Sequence, residues 1–247
     1  MKSFIAFSCS HFPFEHKPTI NRILNEIQDR QPDVVVHLGD LIEADAASQW
    51  GSEVSHSLQD EFDGANGFLQ DLLDASPKAE HVFMMGNHDF NLENPGRIDK
   101  RIRSLCGFKR NLPALKSFKV YDYAYNRRAV HRIGQVSFYH GNECGASSDE
   151  AQSIILGVPY GLGISGHTHR GTPVTQARKG QIPLPYWSAN AGCSREFDCD
   201  FMLQKRQFRW SHGMVVGEAK ELKSPRLKCC WEAESVVFDR YDDAMYK

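Results

Sequence analysis

Short motifs built from histidine, aspartate, asparagine and cysteine recur along the chain. Magnesium and calcium prefer all-oxygen ligand shells, whereas mixed nitrogen, oxygen and sulfur donors suit transition metals. The motifs offer four imidazoles, a carboxylate, an amide and a thiol, with His88 as a further imidazole beside them. The candidate metal ligands are Cys9, His11, Asp40, Asn87, His140, His167 and His169.

These side chains are too many for one ion. Two ions about 3.5–4 Å apart, bridged by a carboxylate, clamp the attacking and leaving oxygens of an in-line phosphoryl displacement. Any one histidine after a strand is more often a structural residue, but the complete set is far more specific than its members. The residues therefore predict a binuclear metal site that hydrolyses a phosphoester.

Each motif follows a short apolar run that is typical of a buried strand. In open α/β sheets, ligands bind in the crevice outside the carboxyl ends of the strands, where these motifs would meet. The predicted strands are Lys2–Ser8, Asp33–Leu38, His81–Met85, Gln135–His140 and Leu162–Ser165, followed near the end of the sequence by Met214–Val216 and Val236–Phe238.

Two amphipathic helices lie between the first three predicted strands. One opens at Pro18 and repeats isoleucine and leucine on one face. The other covers Leu58 to Leu73, although Gly64 and Gly67 weaken it. Alternation of strand, turn and helix favours a mainly parallel, layered α/β sheet.

The composition fits one domain over residues 1–247, because 41% hydrophobic residues can form a substantial core. Residues 91–130 lack clear periodicity and are predicted to be an elaboration on that core. Between Arg97 and Arg132, eleven bases stand against two acids. This segment is either a solvated face that partners the acidic stretch at residues 40–80, or a surface that attracts phosphate-bearing substrates.

No apolar run approaches the length of a membrane span, and the four-residue run Phe4–Phe7 is too short for a signal peptide. Seven cysteines without regular spacing fit reduced thiols better than a disulfide framework. We therefore expect a cytoplasmic protein without a membrane partner. The net charge of -2 argues against a protein that wraps nucleic acid.

The motif order resembles that of the calcineurin-like metallophosphoesterases, whose pattern is D-x-H, G-D, G-N-H-D, H and G-H-x-H. The matching positions are Cys9-Ser10-His11, Gly39-Asp40, Gly86-Asn87-His88-Asp89, His140 and Gly166-His167-Thr168-His169, and the resemblance covers about residues 3–170 and extends to the strand before Asn190. It implies an α/β sandwich of two mixed β-sheets flanked by helices, and a metal-dependent phosphoester hydrolase.

The resemblance also implies a role for each motif residue. Asp40 would bridge two divalent metal ions, and a hydroxide between the ions would be the nucleophile. His88 would stabilise the phosphoryl oxygens or protonate the leaving oxygen, and Asp89 would fix the tautomer of His88. One ion would be held by Cys9, His11, Asp40 and His169, and the other by Asp40, Asn87, His140 and His167.

Cys9 departs from the family pattern, which has aspartate at this position. A thiolate keeps the single negative charge but is softer, so the site is expected to favour zinc or iron, with manganese also possible. The alternative is a degraded site in a phosphoesterase fold that serves only as a binding scaffold.

The metal site does not define the substrate. The Ser/Thr protein phosphatases have Asp-Arg-Gly after the second motif, and its absence from Gly39-Asp40-Leu41-Ile42-Glu43 disfavours that class. The basic segment favours a phosphodiesterase that acts on a nucleotide or nucleic acid. A phosphomonoesterase is the alternative.

Several further residues leave more than one interpretation open. Glu43 either lies behind the ligands or begins a surface helix, and Trp187 and Asn190-Ala191-Gly192-Cys193 either border the site or do not. Tyr121, Tyr123 and Tyr125 either stack bases or are half-buried strand residues, the second being preferred. The histidines that match no motif are expected in the core or on the surface; they are His16, His56, His131 and His212.

Overall fold

A computed structural model describes residues 1–47, 56–99, 101–123, 129–142, 148–197, 209–220 and 231–238. Two β-sheets form its centre. The strands are β1 (Lys2–Phe7), β2 (Val34–His37), β3 (Glu80–Met84), β4 (Lys119–Tyr121), β5 (His131–Ile133), β6 (Val136–Phe138), β7 (Gly161–Ser165), β8 (Thr172–Lys179), β9 (Ile182–Asn190), β10 (His212–Ala219) and β11 (Trp231–Phe238).

Both sheets contain parallel and antiparallel pairs. The first has the order β11-β10-β1-β2-β3-β4, in which β1 to β4 run parallel and β10 is antiparallel to both of its neighbours. The second has the order β5-β6-β7-β9-β8, with parallel pairs only among β6, β7 and β9. The predicted class of two mixed sheets is therefore confirmed, and the chain forms two sheets rather than one mainly parallel sheet.

Side chains that alternate between the two faces of β1 show how the layers stack. Phe4 and Ala6 belong to a buried cluster shared with the second sheet, where the rings of Phe4 and Phe138 meet edge to face with centroids 5.1 Å apart. Ile5 and Phe7 point to the opposite face and pack with the helices. Since successive side chains of a strand face opposite sides, β1 contributes to two cores at once.

Helices cover the outer faces. They are α1 (Lys17–Arg30), α2 (Leu58–Ala75), α3 (Asn87–Asn91), α4 (Arg103–Cys106), α5 (Phe108–Asn111) and α6 (Asp149–Leu156), with short 3₁₀ turns at Asp45–Ala47 and Pro113–Ser117. No helix in the described ranges has both the length and the apolar character needed to cross a bilayer.

Local sequence explains where the two long helices begin. Pro18 stands in the first turn of α1, where its missing N–H is not needed. Ser57 caps α2, because its side chain accepts a hydrogen bond from the backbone N–H of Asp60. Gly64 lies inside α2 despite its low helix propensity, since a Cβ there would come within 2.9 Å of the Phe12 ring.

The described parts of the basic segment are residues 97–99, 101–123 and 129–132, and residues 101–123 form short helices and the edge strand β4. Three of its basic residues form ion pairs with acidic residues: Arg101 with Asp99, Lys109 with Asp122, and Lys119 with Glu80. Part of the positive charge seen in the sequence is therefore balanced locally. Tyr125, Arg127 and Arg128 lie outside the described residues.

Candidate metal centre

The predicted ligands follow the carboxyl ends of β1, β2, β3, β6 and β7, as the sequence indicated. Backbone hydrogen bonds tie these loops together. The N–H of Cys9 donates to the carbonyl of Gly39, that of His11 to Asp40, and that of Gly166 to His140, at 2.9, 3.1 and 2.8 Å. Nδ1 of His140, which follows a strand of the second sheet, lies 2.7 Å from the carbonyl of Leu38, which follows a strand of the first. The loops of both sheets therefore meet in one place.

The backbone at the ligands is unusual. Positive φ is uncommon for residues other than glycine and costs conformational energy unless the surroundings hold it. Among the described residues eight non-glycine residues have positive φ, and five of them are candidate ligands, with φ between 50° and 60°. These five are Cys9, His11, Asp40, His167 and His169.

One group of ligand atoms comes from Cys9, His11, Asp40 and His169, all within 4.8 Å of one another. Nε2 of His11 lies 3.2 Å from Nε2 of His169 and 3.9 Å from Oδ2 of Asp40. The backbone N–H of His167 donates to the sulfur of Cys9 at 3.3 Å. These four residues are buried.

A second group comes from Asp40, His140 and His167. Nε2 of His140 lies 3.2 Å from Oδ2 of Asp40 and 3.0 Å from Oδ1 of Asn87. The Asn142 amide donates to the same Asn87 oxygen at 3.2 Å. Asp40 is the residue that the two groups share.

The donor set fits bound cations. Nδ1 of His140 lies 2.7 Å from the carbonyl of Leu38, which places the proton of neutral His140 on Nδ1. Its Nε2 then faces two oxygens, Oδ2 of Asp40 and Oδ1 of Asn87, and all three atoms are acceptors. In the first group, Nε2 of His169 lies 3.2 Å from Nε2 of His11. A positive ion in each group would satisfy these converging acceptors.

Burial keeps the histidine ligands neutral. It lowers the pKa of His11 and of His167 to about 4, and that of His169 well below its ordinary value. Burial alone would raise the pKa of Asp40, but His140, His88 and His11 lower it well below the usual range. These three histidines and Asp40 therefore have the protonation states that metals require.

Cys9 differs from the other ligands in its charge state. Burial, and then the negative charge of Asp40, raise the pKa of the Cys9 thiol well above its ordinary value. Its sulfur accepts the N–H of His167, which favours the thiolate but does not outweigh burial. Cys9 would thus become a thiolate ligand only with a cation beside it.

His88 lies beside these two groups and forms a third cluster of possible ligand atoms with His11 and Glu43. Its side chain is 25% exposed. Its backbone N–H donates to Oδ1 of Asp40 at 2.9 Å, and its Nδ1 donates to the carbonyl of Glu43 at 2.8 Å. Burial lowers the pKa of His88, but the carboxylates of Asp40 and Glu43 and this carbonyl raise it above its ordinary value. Its Nε2 is left as the atom that a substrate can meet.

The expected role of Asp89 is corrected by the structure. Nδ1 of His88 binds the carbonyl of Glu43, so Asp89 does not fix its tautomer. The buried carboxylate of Asp89 instead accepts four backbone N–H groups at 2.8–3.3 Å, and it thereby joins two ligand loops. The donors are Gly86, Asp40, Leu41 and Ile42.

Glu43, which the sequence left undecided, lies behind the ligands and is buried. Its Oε2 is 2.8 Å from Nδ1 of His11 and 2.9 Å from Nη1 of Arg195. The Trp210 ring packs edge-on against His169, with ring centroids 4.4 Å apart. Arg195 and Trp210 belong to no motif, so neither was predicted from the sequence.

The remaining sequence candidates have other partners. Trp187 packs against Trp231, whereas Asn190 supports the site by donating to the carbonyl of Gly166 at 2.7 Å. Tyr121 and Tyr123 are half-buried; the first contacts His131 and the second stacks on Phe90.

The histidines outside the motifs fall in the core or at the surface. His16 stacks on His212 with centroids 4.1 Å apart, and both are buried, as is His131. His56 is exposed. None of these four belongs to the ligand groups found among the described residues.

A family model described as calcineurin-like phosphoesterase matches residues 2–171. No match is found among curated proteins. Among solved structures, a single mutant of Vps29 from Entamoeba histolytica is 12% identical with a TM-score of 0.44, covering 96% of this chain and 99% of that one. The phosphoesterase Yfce from E. coli is 14% identical with a TM-score of 0.41, covering 88% and 92%.

A purple acid phosphatase, PPD1 from yellow lupin (Lupinus luteus), is 13% identical with a TM-score of 0.47, covering 98% of this chain and 55% of that one. The family match ends two residues after His169, the last predicted ligand. It therefore spans every predicted ligand, and Arg195 and Trp210 lie beyond it.

Proposed function

Because the chain belongs to the calcineurin-like phosphoesterase family, we propose that it hydrolyses phosphoesters with two divalent transition-metal ions. The observation that carries the proposal is the convergence of acceptors around Asp40, where imidazole nitrogens and oxygens from five loops face one another. Cys9, His11, Asp40 and His169 would hold one ion. Asp40, Asn87, His140 and His167 would hold the other.

When bound, the two ions would lower the pKa of bound water and neutralise charge on the phosphoryl oxygens. The chain's own residues prepare that chemistry. Asp40 is ionised and is held by the N–H of His88. His88 keeps its Nδ1 proton on the Glu43 carbonyl, so its Nε2 can donate a proton to a phosphoryl or leaving oxygen.

The preferred substrate class is a phosphodiester of nucleotide or nucleic-acid type. The excess of bases between Arg97 and Arg132 supports it, and Arg110 and Lys116 in that segment are exposed. The ion pairs of Arg101, Lys109 and Lys119 reduce that support. A phosphomonoester substrate is the alternative within the same reaction class.

The sulfur of Cys9 favours zinc or iron over manganese as the ion of the first group. The same residue favours a second candidate function, a binding scaffold without catalysis. A buried thiol with a raised pKa supplies less negative charge than the aspartate of the family pattern. If the ion of the first group bound too weakly, the protein would keep the phosphoesterase fold but would not catalyse hydrolysis.

The test is elemental analysis of the purified protein, followed by hydrolysis of bis-p-nitrophenyl phosphate and p-nitrophenyl phosphate after reconstitution with single metals. About two equivalents of metal, with diester turnover lost in His88→Ala, would support the phosphodiesterase. His56→Ala is the matched control, because His56 is exposed and belongs to no ligand group found in the described structure.

Faster turnover of the monoester would favour the phosphomonoesterase. Less than one equivalent of every metal and no turnover of either ester would favour the scaffold.

A further inference from the structure

Arg195 has the largest fully buried side chain among the described residues, and it lies behind the metal centre. Its Nη1 donates to Oε2 of Glu43 at 2.9 Å, and the two side chains are 2% and 5% exposed. Burying an ion pair costs desolvation free energy that the mutual attraction often fails to regain. Fold stability alone is therefore a weak reason for this pair.

The same Glu43 oxygen lies 2.8 Å from Nδ1 of His11. Although Nδ1 makes no aligned hydrogen bond in the described structure, the adjacent carboxylate favours the proton of a neutral His11 on Nδ1. The Nε2 lone pair then faces Asp40 and His169. Ligand histidines commonly donate their second N–H to a carboxylate, which fixes both the tautomer and the ring orientation.

Arg195 is itself held in place on several sides. Its Nε donates to the carbonyl of Glu196 at 3.3 Å, and its guanidinium carbon lies 5.7 Å from the ring centre of Phe14 and 5.8 Å from that of Trp210. Trp210 in turn packs against His169. The guanidinium therefore connects the surroundings of both histidines in the first ligand group.

We propose that Arg195 is a positioning residue that acts through Glu43. By holding the Glu43 carboxylate on Nδ1 of His11, it sets the affinity for the ion that His11 shares with Cys9, Asp40 and His169. The inference rests on the proposed function to the extent that the site binds metal. Arg195 lies beyond residues 2–171, so the family match does not account for it.

The experiment titrates the metal-free full-length protein with Co²⁺, followed by visible absorption, and with Zn²⁺ in competition with a chromophoric chelator. Arg195→Met and Glu43→Gln should weaken one of the two ions about 10- to 100-fold and leave the other unchanged. Arg195→Lys should recover part of the loss, because lysine keeps the charge but lacks the planar guanidinium.

A double-mutant cycle separates positioning from a general structural role. If Glu43 acts through His11, Glu43→Gln should weaken metal binding in the wild-type background and have no further effect in the His11→Ala background. Glu61→Gln is the matched control, because Glu61 is a buried glutamate whose carboxylate accepts the N–H of Ala44 and which belongs to no ligand group among the described residues. It should leave both affinities unchanged.

Wild-type affinity for both ions in Arg195→Met and Glu43→Gln would overturn the inference, as would equal weakening of both ions in all variants, Glu61→Gln included. If wild-type protein binds two ions and the variants bind them with the same affinities, only the positioning role of Arg195 fails. If wild-type protein binds no metal, the proposed function fails first. Circular dichroism monitors folding, and should Arg195→Met not fold, Arg195→Lys and Glu43→Gln decide the question.

Discussion

Gly86 packs directly against the carboxylate of Asp40. A Cβ at position 86 would overlap Oδ1 and the backbone nitrogen of Asp40, and it would come within 2.8 Å of Cε1 of His140. The φ angle of Gly86 is -87°, which any residue adopts, so glycine is required here by space rather than by conformation. The absence of a side chain at position 86 therefore leaves the space that Asp40, the ligand shared by the two groups, occupies.

Gly86→Ala should displace Asp40 and weaken binding of both metal ions, measured by competition with a chromophoric chelator. The matched control is Gly67→Ala, at an exposed position in α2 where a Cβ would meet nothing within 4 Å. That control should keep metal binding and raise the free energy of unfolding by about 1 kcal/mol, since alanine favours a helix interior. Unchanged metal affinity in Gly86→Ala would show that the close packing of position 86 against Asp40 does not determine metal binding.

Asp89→Asn should lower stability more than it alters chemistry. An amide offers one acceptor oxygen where the carboxylate receives four backbone N–H groups, so at least one donor is left buried and unpaired. We expect a loss of about 2–4 kcal/mol in the free energy of unfolding, measured by urea denaturation of the metal-free protein. A variant of wild-type stability that lacks only activity would instead assign Asp89 to the reaction.

Glu61 gives a pH dependence outside the metal centre. Burial raises the pKa of Glu61 from 4.5 to about 7, and Asp45 and Glu43 add to this. The folded state therefore binds the proton more tightly than the unfolded state. Its stabilising contribution is complete below about pH 4.5 and is lost as the pH rises to about 7.

Glu61→Gln removes this titration. The difference in unfolding free energy between wild type and variant should change by about 3 kcal/mol between pH 4.5 and 7, with the wild type losing stability relative to the variant as pH rises. Urea denaturation at several pH values measures it. A constant difference would show that Glu61 titrates normally in the folded protein.

Cys9→Asp should move metal preference from zinc and iron toward manganese, because a hard carboxylate replaces a soft thiolate. The measurement is metal affinity and ester hydrolysis after reconstitution with each metal singly. Cys106→Ser is the control, since Cys106 lies in α4 and its thiol contacts the carbonyl of Ile102. An identical metal profile in Cys9→Asp and wild type would mean that the sulfur is not a ligand.

Most of the strands that precede ligands could be predicted, because β1, β2 and β3 have strong local apolar patterns, and α1 could be predicted for the same reason. The hairpin of β8 and β9 was harder. Pro183 and Pro185 interrupt β9, and proline argues against a strand within a sheet. The structure accommodates Pro183 near the start of β9, opposite Arg178 and next to an irregularity in the ladder.

The ligand groups were predictable for a similar reason, since each ligand follows a recognisable strand. Arg195 was not, because it meets Glu43 across 152 residues of sequence and no local pattern marks it. The tautomer of His88 was also out of reach. It depends on a backbone carbonyl of Glu43, and every residue type has such a carbonyl.

The backbone of Cys9 has a φ of 57°, a conformation in which aspartate and asparagine are several-fold enriched over other non-glycine residues. The main chain at position 9 therefore has a conformation that suits aspartate, the residue of the family pattern, better than it suits cysteine. Folding this chain with cysteine at position 9 forgoes a conformational advantage that the aspartate would provide. The thiol at position 9 is therefore present at a conformational cost to the native state.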